Sequence, residues 1–382
     1  MNKTVLRGTV ITPVELISRG QVELHGGKIS YAGPKRSVEG QVIEHDDAII
    51  CPGLIDIHIH GALGYDFMDP TPKAMDTISK YLAEGGVTGF LATTHSSSQS
   101  KSVNTIKQIS AYRDLPGAKL LGIHLEGPYL SHKKKGAQDE AHIRKLDLNE
   151  LKDMVLAGNG LIKIVTIAPE IDEGLEAIKY LSESGVTVSA GHTNALFEEA
   201  KEAIDLGLNH ISHLFNGMRG FHHREPGIVG VALTDGRVTV ELIADGVHLH
   251  PVALRIAALV KGGQGIALIS DSIKPAGLPE GQYKQGNKVV FVRDGQLRLA
   301  DGTIAGSGIR LNQAVKTMIE EAGISLTEAV QMATLTPSRI LGLSSVKGRL
   351  SEGYDADITV MDWDFLVRET WVEGTRVYDD GS

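Results

Sequence analysis

Gly53-Leu-Ile-Asp-Ile-His-Ile-His-Gly61 is the stretch whose reading decides the fold. Its apolar residues Leu54, Ile55, Ile57 and Ile59 form a β-rich run with no proline inside it, the pattern of a buried strand. Strand side chains alternate faces, so His58 and His60, two apart at the end of the run, point the same way and bring two imidazoles to one spot. Imidazole is the commonest protein ligand for a metal, and two of them at a strand end make half a site for a divalent cation. The plain alternative is a pair of solvent-facing histidines at the start of a loop. The rest of the chain decides between them.

Outward from that run the middle of the chain alternates. Strand-like apolar runs occupy 54–60, 87–94, 119–126, 161–168, 186–192, 208–214, 238–245 and 265–271. Most are separated by amphipathic, helix-like segments such as 74–84, 148–157, 173–183, 196–206 and 251–261. Eight strands with helical spacers predict a (β/α)8 barrel of the TIM type. A doubly wound open sheet is the runner-up, but no Gly-rich dinucleotide fingerprint follows the first strand. Residues 281–308 interrupt the last unit with a hairpin-like insertion (Lys288-Val-Val-Phe-Val292, then Gln296-Leu-Arg-Leu299), and helices resume over 309–322 and 326–334. Both ends of the chain differ from this middle: short strands and glycine turns fill residues 1 to about 50, and similar strands follow Ala356. The pattern predicts a small β-sandwich domain built from 1–52 plus 344–382, and a hydrolase barrel over 53–343.

Composition narrows the class. Of 382 residues 42% are hydrophobic and 22% charged, the balance of an ordinary globular protein. A net charge of −9 argues against a nucleic-acid surface while leaving room for an anionic small substrate in a locally cationic pocket. The one cysteine, Cys51, excludes an internal disulfide framework and fits a reducing cytoplasm. The first twelve residues read as a strand, not as a signal peptide, and no run of about 18 apolar residues suggests a membrane span.

In a barrel the chemistry sits at the C-terminal ends of the strands. Reading each run to its end yields His58 and His60, Glu126, His192, His213, Asp245 with His248, and Asp271. Strand ends in a barrel without a site would carry mixed loop residues; this set is a metal site. A hydrolytic zinc site needs about three protein ligands and an open position for water. Glu126, His192 and His213 supply three, and Asp271 is the carboxylate placed to accept the water's proton and hand it to a leaving group. Zinc comes first, with iron, cobalt or manganese suited to the same donors. His58 and His60 keep two roles: ligands for a second ion, or a polar floor beside a single one. His124 reads as a buried, hydrogen-bonded histidine; His95, His132, His142, His210, His222, His223 and His250 read as loop or supporting residues.

More specific segments accompany these residues. They are Pro52-Gly-Leu-Ile-Asp-Ile-His-Ile-His-Gly61, His124-Leu-Glu-Gly-Pro-Tyr129, Ala168-Pro-Glu170, Ser189-Ala-Gly-His-Thr193, His213-Leu-Phe-Asn-Gly-Met218 and Arg224-Glu-Pro-Gly227. Ile243-Ala-Asp-Gly-Val-His248, Ser270-Asp-Ser272, Ala305-Gly-Ser307, Met332-Ala-Thr334, Gly348-Arg-Leu350 and Gly353-Tyr-Asp-Ala-Asp357 follow. Over nearly its whole length the chain thereby resembles the amidohydrolase superfamily and, within it, the N-acetylglucosamine-6-phosphate deacetylases. The His-x-His and Gly-x-Asp-Ala-Asp parts are shared across the superfamily; His-Leu-Glu-Gly-Pro, His-Leu-x-Asn-x-Met and Arg-Glu-Pro-Gly are narrower.

The resemblance implies deacetylation of N-acetyl-D-glucosamine 6-phosphate to D-glucosamine 6-phosphate and acetate, in amino-sugar breakdown or recycling. It makes Glu126, His192 and His213 metal ligands and Asp271 the general base and acid. It has His248 touch the substrate and polarise the acetyl carbonyl, and Asn216 with the backbone of Gly217 hold the sugar phosphate. It implies a homodimer in which Arg224 reaches the phosphate in the neighbouring subunit's site, a guanidinium fork suited to that anion. Relatives vary at the first strand, and this chain keeps both His58 and His60, so one or two ions per subunit are open. Where many relatives have a histidine this chain has Gln138, which can bond a sugar hydroxyl but cannot titrate. The galacto epimer of the substrate is the nearest alternative. A cyclic-amide hydrolase would carry a lysine where the fourth strand ends in Ala168-Pro-Glu170, and a barrel kept as a scaffold would not keep this donor set.

Overall fold

The computed structural model describes residues 3–12 and 15–381, so the outermost residues of the expected terminal domain, and residues 13–14, lie outside the described ones. Among the described residues eight strands form one sheet in unbroken chain order: β1 (Leu54–Ile59), β2 (Val87–Thr94), β3 (Lys119–Glu126), β4 (Ile162–Ile167), β5 (Thr187–Ala190), β6 (His210–Ile211), β7 (Thr239–Ile243) and β8 (Ile266–Ile269). Each neighbouring pair is parallel. The ring closes where β8 returns beside β1. There Asp271 N donates to His58 O at 2.9 Å and His60 N to Ser272 O at 2.8 Å. A helix follows every strand: Pro72–Glu84, Gln99–Ile109, Leu148–Ala157, Gly174–Glu183, Phe197–Asp205, Gly227–Thr234, Pro251–Lys261 and, beyond an insertion, Leu311–Glu320. This is the expected (β/α)8 barrel; the unbroken order and the closure exclude the open sheet.

Local chemistry explains the units. Thr71 caps Pro72–Glu84 by accepting from Ala74 N at 3.2 Å, with proline at the first helical position, where no N–H is required. Ala74, Met75, Ile78 and Leu82 then bury one face of the helix. The turn into β2 needs Gly86: φ is +79°, and a Cβ there would lie 2.5 Å from Thr359 Cγ2. Two helices lie outside the helix-like segments named from the sequence. Gln99–Ile109 has only Val103, Ile106 and Ile109 as large apolar residues, and Gly227–Thr234 is apolar almost all round and buried nearly throughout. The first still buries one face at helical spacing, through Ser102, Thr105, Ile106 and Ile109; the second has no polar face at all.

The insertion after β8 is three-stranded. To the expected pair Lys288–Arg293 and Gln296–Leu299 the structure adds Gly281–Gln285, all antiparallel. Ile273, Val290, Val292, Leu297 and Ala305 form its own apolar cluster. Lys288 Nζ bonds Ala137 O and Gln138 O at 3.0 and 2.9 Å, tying the insertion to the loop after β3.

Strands from both chain ends form a seven-stranded sheet in which Gln41–Pro52 joins Thr4–Ile11 on one side to Ile358–Asp362 on the other. The sheet curls until its two wings face each other. Ile29 N donates to Tyr354 O, Gly353 N to Ile29 O and Ala356 N to Gly27 O, each at 2.9 Å. Leu6, Val22, Ile29, Ile50, Ile358 and Trp371 share one apolar cluster between the wings, which is the sandwich arrangement. The opposite face lies on the barrel: Ile11, Ile49, Cys51, Met361 and Phe365 belong to the main core. No helix among the described residues is long and apolar enough to cross a membrane.

Candidate active site

All the sequence-predicted strand-end residues lie at one rim of the barrel. His58 is the last residue but one of β1 and His60 follows the strand; Glu126 is the last residue of β3; His192 and His213 lie two residues beyond β5 and β6, and Asp271 two beyond β8. His192, His213 and Asp271 adopt φ of +47°, +31° and +47°. Side chains other than glycine rarely take that region, and its cost is borne where the surroundings require one particular geometry.

Glu126 is the hub. Its Oε1 lies 2.9 Å from His213 Nε2, 3.2 Å from His192 Nε2 and 3.4 Å from His58 Nε2. Its Oε2 lies 3.4 Å from His60 Nε2 and accepts from Gln138 Nε2 at 2.5 Å. Asp271 Oδ1 faces the same centre from β8, 3.4 Å from His60 Nε2 and 3.7 Å from His58 Nε2. Donor atoms of His58, His60 and Asp271 lie within 4.8 Å of one another, as do those of His58, Glu126 and His213. His192 joins through Glu126.

His58 Nε2 is buried with no hydrogen-bond partner among the described residues, although two carboxylates stand beside it. Such a concentration of inward-facing imidazole and carboxylate donors, one of them left without a bond, fits a divalent cation. The charge pattern agrees. Burial opposes ionisation of Glu126, but His58 and His192 outweigh it and hold its carboxyl well below the usual range. Asp271 is treated alike: burial pushes it up, the bond to His60 and the charge of His58 bring it down. Both carboxyls are therefore in the form that binds cations and accepts protons.

The far side of each imidazole is also occupied. His192 Nδ1 lies 2.9 Å from Lys134 O, His213 Nδ1 3.1 Å from Asn216 O, and His58 Nδ1 2.8 Å from Glu241 Oε2. Holding Nδ1 turns Nε2 toward the centre. His248 is built similarly, with Nδ1 2.7 Å from Asp245 Oδ2 and its backbone N donating to Oδ1 at 2.8 Å. His124 bonds Ile57 O and Thr166 Oγ1 at 3.2 and 2.7 Å, inside the barrel.

The cavity over this centre encloses about 560 Å³ and is lined by His60, Glu126, Gln138, His192, His213, Asn216, Gly217, His248 and Asp271, among others. Lys274 and Lys288 add positive charge to its wall. Gln138 is already engaged at both ends, its Oε1 accepting from Ser96 N at 2.9 Å, so one N–H of its amide is left for a ligand. Arg224 does not reach the cavity of its own chain; it is exposed, with Nη1 2.9 Å from His223 Nε2. At the end of β4, Glu170 binds Thr193 Oγ1 and Asn194 N, both at 2.5 Å, and no lysine stands there.

Two groups escaped the sequence reading of the site, and a third, His95, read there as a loop or supporting residue, stands beside it. Glu241 and Asp56 are single carboxylates inside apolar runs, Val238-Thr-Val-Glu-Leu-Ile243 and Leu54-Ile-Asp-Ile57, and both are fully buried. Asp56 accepts from His58 N at 3.2 Å, and burial pushes its carboxyl up to about 6. The signal was an acid where a strand should be apolar. His95 carries no such signal; its ring stacks on His60 at 4.1 Å and its Nε2 meets Asp66 Oδ2 at 3.2 Å.

Comparison with known proteins converges on one group. The model of the amidohydrolase family matches residues 49–378. The N-acetylglucosamine-6-phosphate deacetylase of Bacillus subtilis (strain 168) is 40% identical over 377 residues, 97% of this chain and 95% of the relative. The N-acetylgalactosamine-6-phosphate deacetylase of Escherichia coli O157:H7 is 36% identical, covering 93% of each. Among solved structures, a mutant of the N-acetyl-D-glucosamine-6-phosphate deacetylase from Mycobacterium smegmatis, in complex with N-acetyl-D-glucosamine-6-phosphate, superposes with a TM-score of 0.93 at 32% identity, over 99% of this chain and all of that one.

Proposed function

The chain belongs to the amidohydrolase family, and from that membership together with the geometry at the barrel rim we propose that it is a metal-dependent deacetylase of N-acetyl-D-glucosamine 6-phosphate, releasing D-glucosamine 6-phosphate and acetate. The observation that carries the reading is Glu126 in contact with four imidazoles, with Asp271 across from it, at the floor of a cavity of sugar-phosphate size.

Glu126, His192 and His213 hold the cation, and His58 and His60 offer donors for a second. When bound, a divalent ion, zinc first and iron, cobalt or manganese by the same donor chemistry, lowers the pKa of water and polarises the acetyl carbonyl. Asp271, ionised and beside the centre, takes a proton from the attacking water as the C–O bond forms and the carbonyl oxygen gains charge, then delivers that proton to the amine nitrogen, so that the C–N bond breaks and the carbonyl re-forms as acetate. His248, its Nδ1 held by Asp245, directs Nε2 toward the carbonyl oxygen and stabilises the charge that develops there. Asn216 and the backbone of Gly217 receive the phosphate, and Arg224, exposed and outside its own cavity, completes that subsite in the partner of a homodimer. Gln138 uses its remaining N–H for a sugar hydroxyl. The working division of the chain is 53–343 as the catalytic barrel and 1–52 with 344–382 as the small domain, in a protein of the reducing cytoplasm, as its one buried cysteine suggests.

The second reading is the galacto epimer, which differs at the sugar C4 and has a relative of its own at 36% identity. Initial rates of amine release from both epimers, before and after chelation and zinc return, test the proposal. We expect metal-dependent turnover with the gluco compound preferred. A galacto preference would keep the chemistry and change the substrate; turnover of neither by metal-loaded enzyme would defeat the assignment.

A further inference from the structure

Two polar atoms in the cavity wall beside β2 are buried and bonded to nothing among the described residues: Ser96 Oγ and Gln285 Oε1. Ser96 lies two residues beyond β2, is 5% exposed, and its backbone N donates to Gln138 Oε1 at 2.9 Å. Its hydroxyl lies so close to Gly127, the residue after Glu126, that a Cβ there would collide with it. Gln285 ends the first strand of the insertion and brings its amide to His95, with Nε2 3.2 Å from the His95 Nε2. The mechanism uses neither residue. A buried polar atom without a partner is costly, and in a cavity wall that partner comes from what fills the cavity.

Strand β2 stands across the ring of eight from β6, which Asn216 and Gly217 follow. In a pyranose, C2 with its amide and C5 with its phosphorylated arm are likewise across the ring from each other. A substrate with its phosphate at Asn216 and Gly217 and its amide carbon at Glu126 and Asp271 therefore extends its acyl group toward Ser96 and Gln285. We propose that these two residues form an acyl subsite that takes a hydroxyl, so that the enzyme also hydrolyses hydroxyacyl amides of the same amino-sugar phosphate, the N-glycolyl compound first. This rests on the reading of the site as a deacetylase of an N-acetylated hexosamine 6-phosphate. The methyl of an acetyl group satisfies neither atom. A hydroxyl on that carbon accepts from Ser96 Oγ–H and donates to Gln285 Oε1, and because it does both it also meets the amide turned the other way. A carboxylated acyl chain does not fit. The charges at this wall are matched already, Asp66 with His95 at 3.2 Å and Asp69 with Lys101 at 3.3 Å. The step itself is unchanged: water adds across the amide, the C–N bond breaks, the acyl group leaves as glycolate and the nitrogen takes the proton.

Initial rates of amine release would be measured with the metal-loaded, full-length protein on the N-acetyl, N-glycolyl and N-propionyl forms of the hexosamine 6-phosphate it prefers. Propionyl has the shape of glycolyl without the hydroxyl. We expect kcat/KM for the glycolyl compound at least about tenfold above that for the propionyl one. The ratio should fall several-fold in S96A and in Q285M; the hydroxyl's effect on amide reactivity, and any general loss of activity, cancel in that comparison. Equal glycolyl and propionyl rates in the wild type would overturn the inference, while acetyl turnover in the same assay leaves the deacetylase reading standing. An unchanged ratio in either variant would overturn the two-residue subsite. Turnover of none of the three compounds would defeat the deacetylase reading and this inference with it.

Discussion

Asp271 and Glu126 are both acids at strand ends, yet the structure separates what their removal should do. Asp271 touches the centre through one oxygen, while Glu126 contacts four imidazoles. Asp271→Asn should lower the rate by roughly 10²- to 10⁴-fold, the usual worth of a general acid–base group, with bound metal retained on analysis. Glu126→Ala should lose metal and activity together. A residue far from the site makes a stability prediction. Burial pushes Glu369 up, but the His45 imidazole at 3.4 Å, Trp371 Nε1 at 2.8 Å and Arg376 Nη1 at 2.7 Å outweigh it and hold the carboxyl at about 2. A folded pKa below the unfolded value adds stability that is complete above the unfolded pKa and is lost as pH falls through the folded one. Glu369→Gln should therefore cost up to about 3 kcal/mol near neutrality, and the gap in unfolding free energy between variant and wild type should close as the pH drops from about 5 toward 2.

At the scale of elements, the rim is built by short strands that end abruptly. β5 and β6 stop two residues before His192 and His213, and the left-handed backbone at those histidines marks the turn that sets them over the barrel mouth. The insertion after β8 is the other device. Through Lys288 it is fastened to the carbonyls of Ala137 and Gln138, and Gln138 in turn bonds Glu126. Lys288→Ala should raise KM several-fold, because the wall of the cavity loosens, while metal content stays at the wild-type level; an unchanged KM would separate the insertion from substrate binding.

At the scale of the whole molecule, the cavity of one chain lacks the guanidinium expected to meet the phosphate, since Arg224 is exposed elsewhere on the surface. If it serves a partner's site, Arg224→Ala should raise KM for the sugar phosphate at least tenfold. Arg224→Ala and Asp271→Asn chains, unfolded together, refolded and assayed at substrate well below the raised KM, should recover about a quarter of the wild-type sites, those where an intact Asp271 meets an intact Arg224 across a two-fold interface. No recovery would place Arg224 outside the partner's site.

The sequence by itself determined the barrel, the places of its eight strands though not the ends of the shortest, and the row of histidines and acids that follow them. These depend on information held within a few residues: apolar runs of strand length, alternation that puts His58 and His60 on one face, and caps such as Thr71 before Pro72. Only the tertiary structure decided what each of these groups meets. His58 and Glu241 are 183 residues apart in the chain and 2.8 Å apart in space; their contact exists because β1 and β7 look into the same barrel, which neither strand encodes. The stack of His95 on His60, the engagement of Gln138 with Glu126 and the distance of Arg224 from its own cavity have the same origin. Periodicity tells which way a side chain points, and closure of the sheet decides what stands opposite it.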